Sequence, residues 1–180
     1  MRAIQIEREP EPSIGELHPA DPDLFREASS RFASSVAVVT TAGMDGDGCG
    51  LTMTAVVPVS ISPMQYLACL GHESATLAAI RKHKVFCINV LSASQAEISN
   101  RFAGKGRGKF ETVEHVVTSR GVPVIAGAVA NILCDVAEIV PSGDHDIVIG
   151  TVTHAAHTPG DPLVYFAKRY ARLGDDRLRD

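Results

Sequence analysis

The sequence predicts a mainly β protein, an antiparallel barrel or sandwich carrying a few helices. At least six segments rich in Val, Ile, Thr and aromatic residues are separated by clusters of Gly, Pro, Asp and Ser, whereas only three stretches carry helix-start signals. These strands do not alternate regularly with helices, as a parallel βαβ sheet would require. One stretch organises the rest. From Leu51 to Ile61 every odd position is apolar, while Thr52, Thr54, Ser60 and Ser62 occupy even positions. A period of two marks a strand with one face in a core. Pro58 has no N–H for a ladder, so a break, bulge or sheet edge is expected near it. The other face offers hydroxyls and backbone instead of Lys and Glu, which suits a ring carbonyl or a phosphate. A half-buried strand with Thr and Ser chosen for β-propensity explains the same pattern equally well.

Residues 1–20 show no periodicity and contain Glu-Pro-Glu-Pro, which reads as a loose arm or a strap across a partner subunit. Asp21-Pro22 reads as an N-cap with proline at the first helical position, and the helix would carry Leu24, Phe25, Ala28 and Phe32 on one face. Residues 35–41 form a β-branched strand, 44–48 a turn, and the organising strand returns as its hairpin partner. A short strand over 66–71 precedes a helix capped by Ser74, with Leu77 and Ile80 turned inward. Residues 85–91 are strongly β. Ser92 and Gln95 have capping-box spacing, so a further helix is expected from there to about Ala103. Residues 104–109 read as a mobile basic loop. Two long β segments, 128–140 and 146–154, and a last strand over 163–166 precede a charged tail at 175–180. No internal repeat or second domain is visible, and 21–174 reads as a single domain.

Composition narrows the function classes. The chain has 180 residues, 45% hydrophobic and 21% charged, as a single soluble globular domain does. A net charge of -4 and a pI near 6.0 argue against a nucleic-acid partner. No apolar run is long enough to cross a bilayer, and the start of the chain lacks the apolar region of a secretory signal. Cys49, Cys69, Cys87 and Cys134 are widely spaced without a Cys-x-x-Cys pair, which reads as reduced thiols in a cytoplasmic protein.

Several motifs invite a chemical reading and are weighed against plainer ones. Gly104-Lys105-Gly106-Arg107-Gly108-Lys109 is not a P-loop, because Phe110 follows Lys109 where Ser or Thr is needed, and it is not the dinucleotide fingerprint either. A basic loop of this kind is still able to close over an anionic cofactor. His154 and His157 have no third ligand nearby and read as surface histidines, so no metal site is expected. Gly143-Asp144-His145 reads as a turn between two strands, or as a corner histidine that orients a ligand. No Gly-x-Ser-x-Gly elbow supports Ser/His/Asp catalysis.

Taken in order, these pieces resemble the flavin reductase family, the NAD(P)H-dependent flavin oxidoreductases that supply two-component monooxygenases. The resemblance is collinear from about Phe25 to Leu173. It rests on residues 32–40, on Gly50-Leu51-Thr52-Met53-Thr54-Ala55-Val56 with Val59-Ser60, and on residues 86–91 with Gln95. Arg101-Phe102-Ala103, Lys109-Phe110, Gly121-Val122-Pro123, Gly143-Asp144-His145 with Ile149-Gly150, and residues 162–166 complete it. The resemblance implies an antiparallel split β-barrel of the FMN-binding type, a homodimer, and one FMN or FAD per subunit near the interface. It implies hydride transfer from NADH, or NADPH, to the flavin, and a separate monooxygenase that receives the reduced product.

By the same likeness Thr52, Met53, Thr54, Ala55 and Val56 run along the flavin ring, and Ser60 lies near its phosphate or ribityl chain. Ser74 and Thr76 offer hydroxyls at a helix N-terminus to the phosphate. Ser34, Phe102 and Lys109 border the flavin. His145 stands on the nicotinamide side as a positioning group, while Thr52, Thr54 and the backbone of Ala55 and Val56 stabilise the charge that grows on the ring. This chain departs from the family pattern at Pro58, Ser34-Ser35, Thr54 and Ala55, so side-chain bonds to the flavin are expected to be fewer and backbone bonds to carry more. A carrier without turnover, or an oxidoreductase that retains its flavin and acts on an organic substrate, is the alternative. No Arg cluster for a 2′-phosphate is recognisable, which leans towards NADH.

Overall fold

A computed structural model describes residues 15, 17–44, 47–106 and 108–173. Most of the expected N-terminal arm and all of the 175–180 tail lie outside the described residues, as does Arg107 of the basic loop.

Helix α1 (Pro22–Ser30) starts as its sequence dictates, with the Asp21 carboxylate accepting from the N–H groups of Asp23 and Leu24 at 2.9 and 2.8 Å. It ends before Phe32, and none of its residues is buried; Phe25 and Phe32 are 67% and 78% exposed. The strand expected over 35–41 is two pieces. β1 (Ser34–Ser35) joins a small sheet, and β2 (Ala37–Ala42) joins the main one. Val36 bridges them, donating to the Leu163 carbonyl and accepting from Leu91 N–H.

The organising stretch is likewise two strands. β3 (Gly48–Met53) pairs antiparallel with β2, and after Thr54 and Ala55 the chain resumes as β4 (Val56–Ile61). β5 (Met64–Gly71), α2 (Ala75–His83), β6 (Val85–Val90) and α3 (Ala96–Ala103) follow. α3 begins later than the Ser92–Gln95 pattern predicts. Only half of the capping box forms: the Gln95 side chain accepts from Ser92 N–H, but Ser92 Oγ turns to Ser94. A short hairpin of β7 (His115–Val117) and β8 (Pro123–Ile125) is new relative to the sequence reading, as is β12 (Arg169–Ala171) beside β11 (Val164–Phe166). The two long strands are β9 (Ala130–Ser142) and β10 (His145–His157).

The main sheet runs β3-β2-β6-β9-β10-β5-β4, antiparallel at every junction. Its two edges, β3 and β4, are joined by Thr54 and Ala55 alone. Three trans peptide steps separate Met53 from Val56 and span at most about 11 Å. A seven-stranded sheet whose edges come that close is rolled into a barrel, and because β3 and β4 do not pair with each other the barrel is split along that seam. The fold class is therefore the one expected.

The barrel interior holds Ala37, Val39, Met53, Ala68, Leu70, Phe86, Ile88, Ile132, Cys134 and Val148, with Leu77 and Ile80 of α2 packed into the same cluster. On the other face of β2, Val36 and Val38 pack with Leu91, Phe102, Val113, Ile125 and Leu163 under α3. Covered on both faces, β2 is buried at all six positions.

The strict alternation predicted from Leu51 to Ile61 does not survive the seam. Met53 is buried, but Val57, Val59 and Ile61 are exposed by 48%, 49% and 88%, while Val56 packs towards the core. The tight bend at the crossing, where Val56 N–H donates to the Thr54 carbonyl at 2.9 Å, changes which side faces inward. The irregularity expected at Pro58 is present, since β4 is an edge strand with a register shift between Pro58 and Ser60.

Candidate active site

The seam places Thr54 and Ala55 in the open. The Ala55 carbonyl accepts from Cys69 N–H at 3.0 Å, which pins the crossing to β5. Among the described residues, neither Thr54 N–H nor Ala55 N–H donates a hydrogen bond. Two successive exposed donors on a fixed bend are available to an anionic or carbonyl oxygen. Met53, just before them, turns its side chain into the core and contributes backbone only to this rim. Val56 is half-buried beyond it, and Ser60 is half-buried on β4 opposite Gln65.

Thr52 lies on β3 facing α3, and its hydroxyl donates to the Ser99 carbonyl at 2.7 Å. The Tyr170 hydroxyl, from β12, lies 2.8 Å from both Ser99 Oγ and Asn100 Oδ1 and ties the same turn of α3 to the small sheet. With its proton committed, Thr52 offers lone pairs, so its side chain accepts towards a ligand. The expectation that the Thr52 hydroxyl is a free donor is corrected accordingly, since its proton goes to the Ser99 carbonyl. Ser34 is half-buried on β1, opposite Tyr165.

Lys109 is not the free end of a mobile loop. Its Nζ donates to the Phe102 carbonyl at 3.0 Å and reaches the Gly50 carbonyl at 3.4 Å, lying 5.8 Å from the Phe102 ring centre. Partial burial pulls its ammonium below the usual lysine range, against a smaller opposing influence from the Cys49 thiol. Phe102 itself is fully buried, packed edge-on to Phe110 at 4.8 Å, and a Cβ on Gly50 would come within 2.9 Å of its ring. Phe102 therefore presents its carbonyl to Lys109 and its ring to the core.

At the N-terminus of α2, Ser74 Oγ accepts from Leu77 N–H at 3.3 Å and acts as the cap. Thr76 is buried with its hydroxyl 3.4 Å from Cys49 Sγ, which removes it from the groups that face outward. At the far end of β5, a two-residue turn through Gly143 (φ 61°) and Asp144 brings in His145 opposite Gly71. His145 Nδ1 lies 2.7 Å from Asp144 Oδ1, and this contact holds the Asp144 carboxyl below the usual carboxylate range. His145 is half-exposed, with Nε2 next to Gly71.

Cavities of about 380 Å³, between α3 and residues 112–113, and about 330 Å³, beside Cys87 and His154, contain none of the expected site residues. The seam is instead an open rim. Among the described residues no group of three His, Cys, Asp or Glu side chains is arranged to hold a metal, and no helix is long and apolar enough to cross a membrane. His154 and His157 are exposed at the end of β10.

The model of the flavin reductase like domain matches residues 29–174. The chain belongs to the flavin reductase-like domain family. It is 37% identical over 157 residues to the reductase component of a 4-nitrophenol 4-monooxygenase/4-nitrocatechol 2-monooxygenase from Rhodococcus opacus, covering 87% of this chain and 84% of that one. It is 38% identical over 156 residues to a flavin reductase (NADH) from Kitasatospora aureofaciens, covering 84% and 82%. Among solved structures, an NADH:FAD oxidoreductase of Streptomyces globisporus C-1027 in complex with NAD and FAD fragments superposes with a TM-score of 0.84 at 30% identity, covering 91% of this chain and 99% of that one.

Sequence reasoning missed Ser99 and Tyr170 beside Thr52, and Asp146 with its partners at the His145 corner. Ser99 and Tyr170 lie far from Thr52 in sequence and carry no motif. Asp146, by contrast, had a signal. Asp146, Val148 and Gly150 are the buried positions of a period-two run, and a carboxylate in an inward register needs a partner. Its partners are Arg81 of α2 and His72 of the β5–α2 turn, the latter with Nε2 at 3.1 Å from Oδ1.

Proposed function

We propose that this chain is an NADH-dependent flavin reductase that binds FMN or FAD along the seam and passes reduced flavin to a separate monooxygenase. The observation that carries the reading is the pair of unpaired N–H groups at Thr54 and Ala55, with the Thr52 oxygen two residues back on β3 and the ammonium of Lys109 anchored at Gly50 of the same strand. This donor set fits a planar, carbonyl-rich ring with an anionic tail. Bound flavin supplies a hydride acceptor at N5 for C4 of the nicotinamide. The protein needs no acid or base of its own; it orients and stabilises. Thr54 and Ala55 would donate to the ring edge where negative charge grows, Val56, whose N–H is taken by the Thr54 carbonyl, would border it, and Thr52 would accept from a ring N–H. Ser60, and Ser74 with the N-terminus of α2, would lie towards the phosphate, Lys109 would supply a positive charge nearby, and Ser34 would border the ring. Met53 and Phe102 would shape the rim through backbone and packing. The relatives named for NADH and the chain's lack of a recognisable Arg cluster favour NADH over NADPH.

His145 would stand on the nicotinamide side as a positioning group. Its Nδ1, held by Asp144, leaves Nε2 to face a ligand. The exposed row of Val57, Val59 and Ile61 on the edge strand β4, with Met64 at the start of β5 and with Phe25 and Phe32, supports a homodimer, since a monomer rarely leaves such a row on a sheet edge. The four free cysteines support a cytoplasmic setting, and the match over 29–174 supports one domain spanning 21–174.

The decisive experiment follows NADH loss at 340 nm with FMN and FAD, and repeats it with NADPH. Turnover with dissociable flavin is expected. His145→Ala is expected to raise KM for NADH while flavin affinity stays nearly unchanged. No NADH loss above background would leave a carrier, and flavin retained through gel filtration would point to an oxidoreductase acting on an organic substrate.

A further inference from the structure

Asp146 is the most deeply buried charge at the His145 corner, with only 1% of its side chain exposed. It sits one residue beyond His145, on the inward register of β10 opposite Leu70. Neither of its oxygens is left alone: Oδ1 meets His72 Nε2 at 3.1 Å and Oδ2 meets the Arg81 guanidinium. His72 in turn donates its backbone N–H to the Asp144 carbonyl at 3.1 Å. The carboxylate thus fastens three separate pieces of chain: the tip of the β9–β10 hairpin, the turn after β5, and α2. These pieces carry His145 on one side and Ser74, two residues after His72, on the other.

A buried carboxylate is costly to keep, and an apolar side chain in that register would pack the barrel without the cost. What the charge adds is direction. Two charge-assisted bonds from fixed donors allow one placement of the hairpin tip, whereas apolar packing allows several. We propose that Asp146 is a positioning residue for the nicotinamide side of the site, setting the place of His145 relative to the α2 N-terminus by locking the hairpin tip through His72 and Arg81. This rests on the reductase reading above and assigns within it a residue that touches neither substrate.

The test uses the full-length protein and three variants, Asp146→Asn, His72→Ala and Asp146→Asn combined with His145→Ala. Asn has the same shape but replaces one acceptor by a donor facing another donor. His72 is 39% exposed at its side chain, so His72→Ala opens the same link from the surface if the buried variant fails to fold. The expected result is a KM for NADH raised about tenfold in Asp146→Asn and several-fold in His72→Ala, with kcat and flavin Kd within about twofold of wild type. In the His145→Ala background Asp146→Asn is expected to add nothing further, because its effect passes through His145. An unchanged KM in the single variants, or an equal additional rise in the double variant, would overturn the assignment.

A second readout needs no turnover. The imidazole 15N resonances of His145 should shift in both Asp146→Asn and His72→Ala. Resonances identical to wild type would overturn the assignment even in a protein without reductase activity, whereas absence of NADH oxidation in wild type with the shifts present would sink the reductase reading alone.

Discussion

Replacing Gly50 by alanine tests the packing beneath the candidate site. A Cβ there would lie 2.9 and 3.0 Å from two carbons of the Phe102 ring and 3.3 Å from Thr40 Cγ2. Ordinary carbon contacts are about 3.5–4.0 Å, so the ring must recede by roughly half an ångström or more. It has little room, being fully buried and held edge-on by Phe110 at a centroid distance of 4.8 Å. Overpacking of this kind costs about 1–3 kcal/mol, and alanine returns about 0.5–1 kcal/mol of the backbone entropy that glycine loses in a strand. The net loss is about 0.5–2 kcal/mol, and at about 2–4 °C per kcal/mol for a chain of this size Tm should fall by about 1–8 °C. The same displacement moves the Phe102 and Gly50 carbonyls that hold Lys109, so flavin affinity should weaken by up to about tenfold, the worth of one charge-assisted contact. Differential scanning calorimetry and flavin-fluorescence titration measure the two effects. Gly71→Ala is the control, because its Cβ would meet only His145 Nε2 at an ordinary 3.8 Å. A Gly50→Ala protein that melts with wild type would refute the seating of Phe102 against β3.

Ile61→Asp places a charge at an 88% exposed position of the edge strand. On a monomer it should change stability by no more than about 0.5 kcal/mol, but in the proposed dimer it should shift sedimentation from the dimer to the 19.1 kDa monomer. Equal sedimentation of variant and wild type would count against that face. Burial pushes the Cys87 and Cys134 thiols from 9.0 up to about 12, so at pH 8 the native protein should let a disulfide reagent reach Cys49 and Cys69 only, with all four reacting after unfolding. Because these two values are higher in the folded state, their contribution to stability is complete below pH 9 and is lost as pH rises towards 12. Urea midpoints should therefore fall between pH 8 and pH 10 more steeply in wild type than in a Cys87→Ala/Cys134→Ala protein, and parallel falls would refute it.

The parts of the fold governed by local chemistry were legible. Asp21-Pro22 starts a helix, Ser74 caps one, Gly143-Asp144 turns the longest hairpin, and Pro58 sits at an edge with a register shift, each for a reason contained in a few residues. What was not legible depends on closure. The apolar residues at odd positions from Leu51 to Ile61 run through the crossing, and although Pro58 marked an irregularity, nothing there announces that the chain leaves one edge of a sheet and joins the other after two residues. The consequence was an inward face assigned to Val57, Val59 and Ile61, which the barrel turns outward. Side-chain roles failed for a similar reason. Whether Thr52 donates or accepts is decided by the Ser99 carbonyl on α3, and whether Thr76 reaches solvent is decided by Cys49 on β3. The loop to Lys109 looked mobile from its glycines, yet two carbonyls hold its end.

The crossing explains why a site belongs at the seam. In a closed barrel each backbone N–H of a strand pairs with a neighbour, but a chain passing between two unpaired edges belongs to neither ladder. Thr54 and Ala55 consequently keep their donors, which water satisfies at almost no cost until a ligand with fixed acceptors replaces it. The bend that frees the donors also changes the register, so the apolar row of β4 begins within a few residues of them and faces away from its own core. A second subunit seated on that row would lie against the candidate rim. Ligand binding and dimerisation would then be linked: the factor by which dimerisation raises ligand affinity would equal the factor by which the ligand strengthens the dimer.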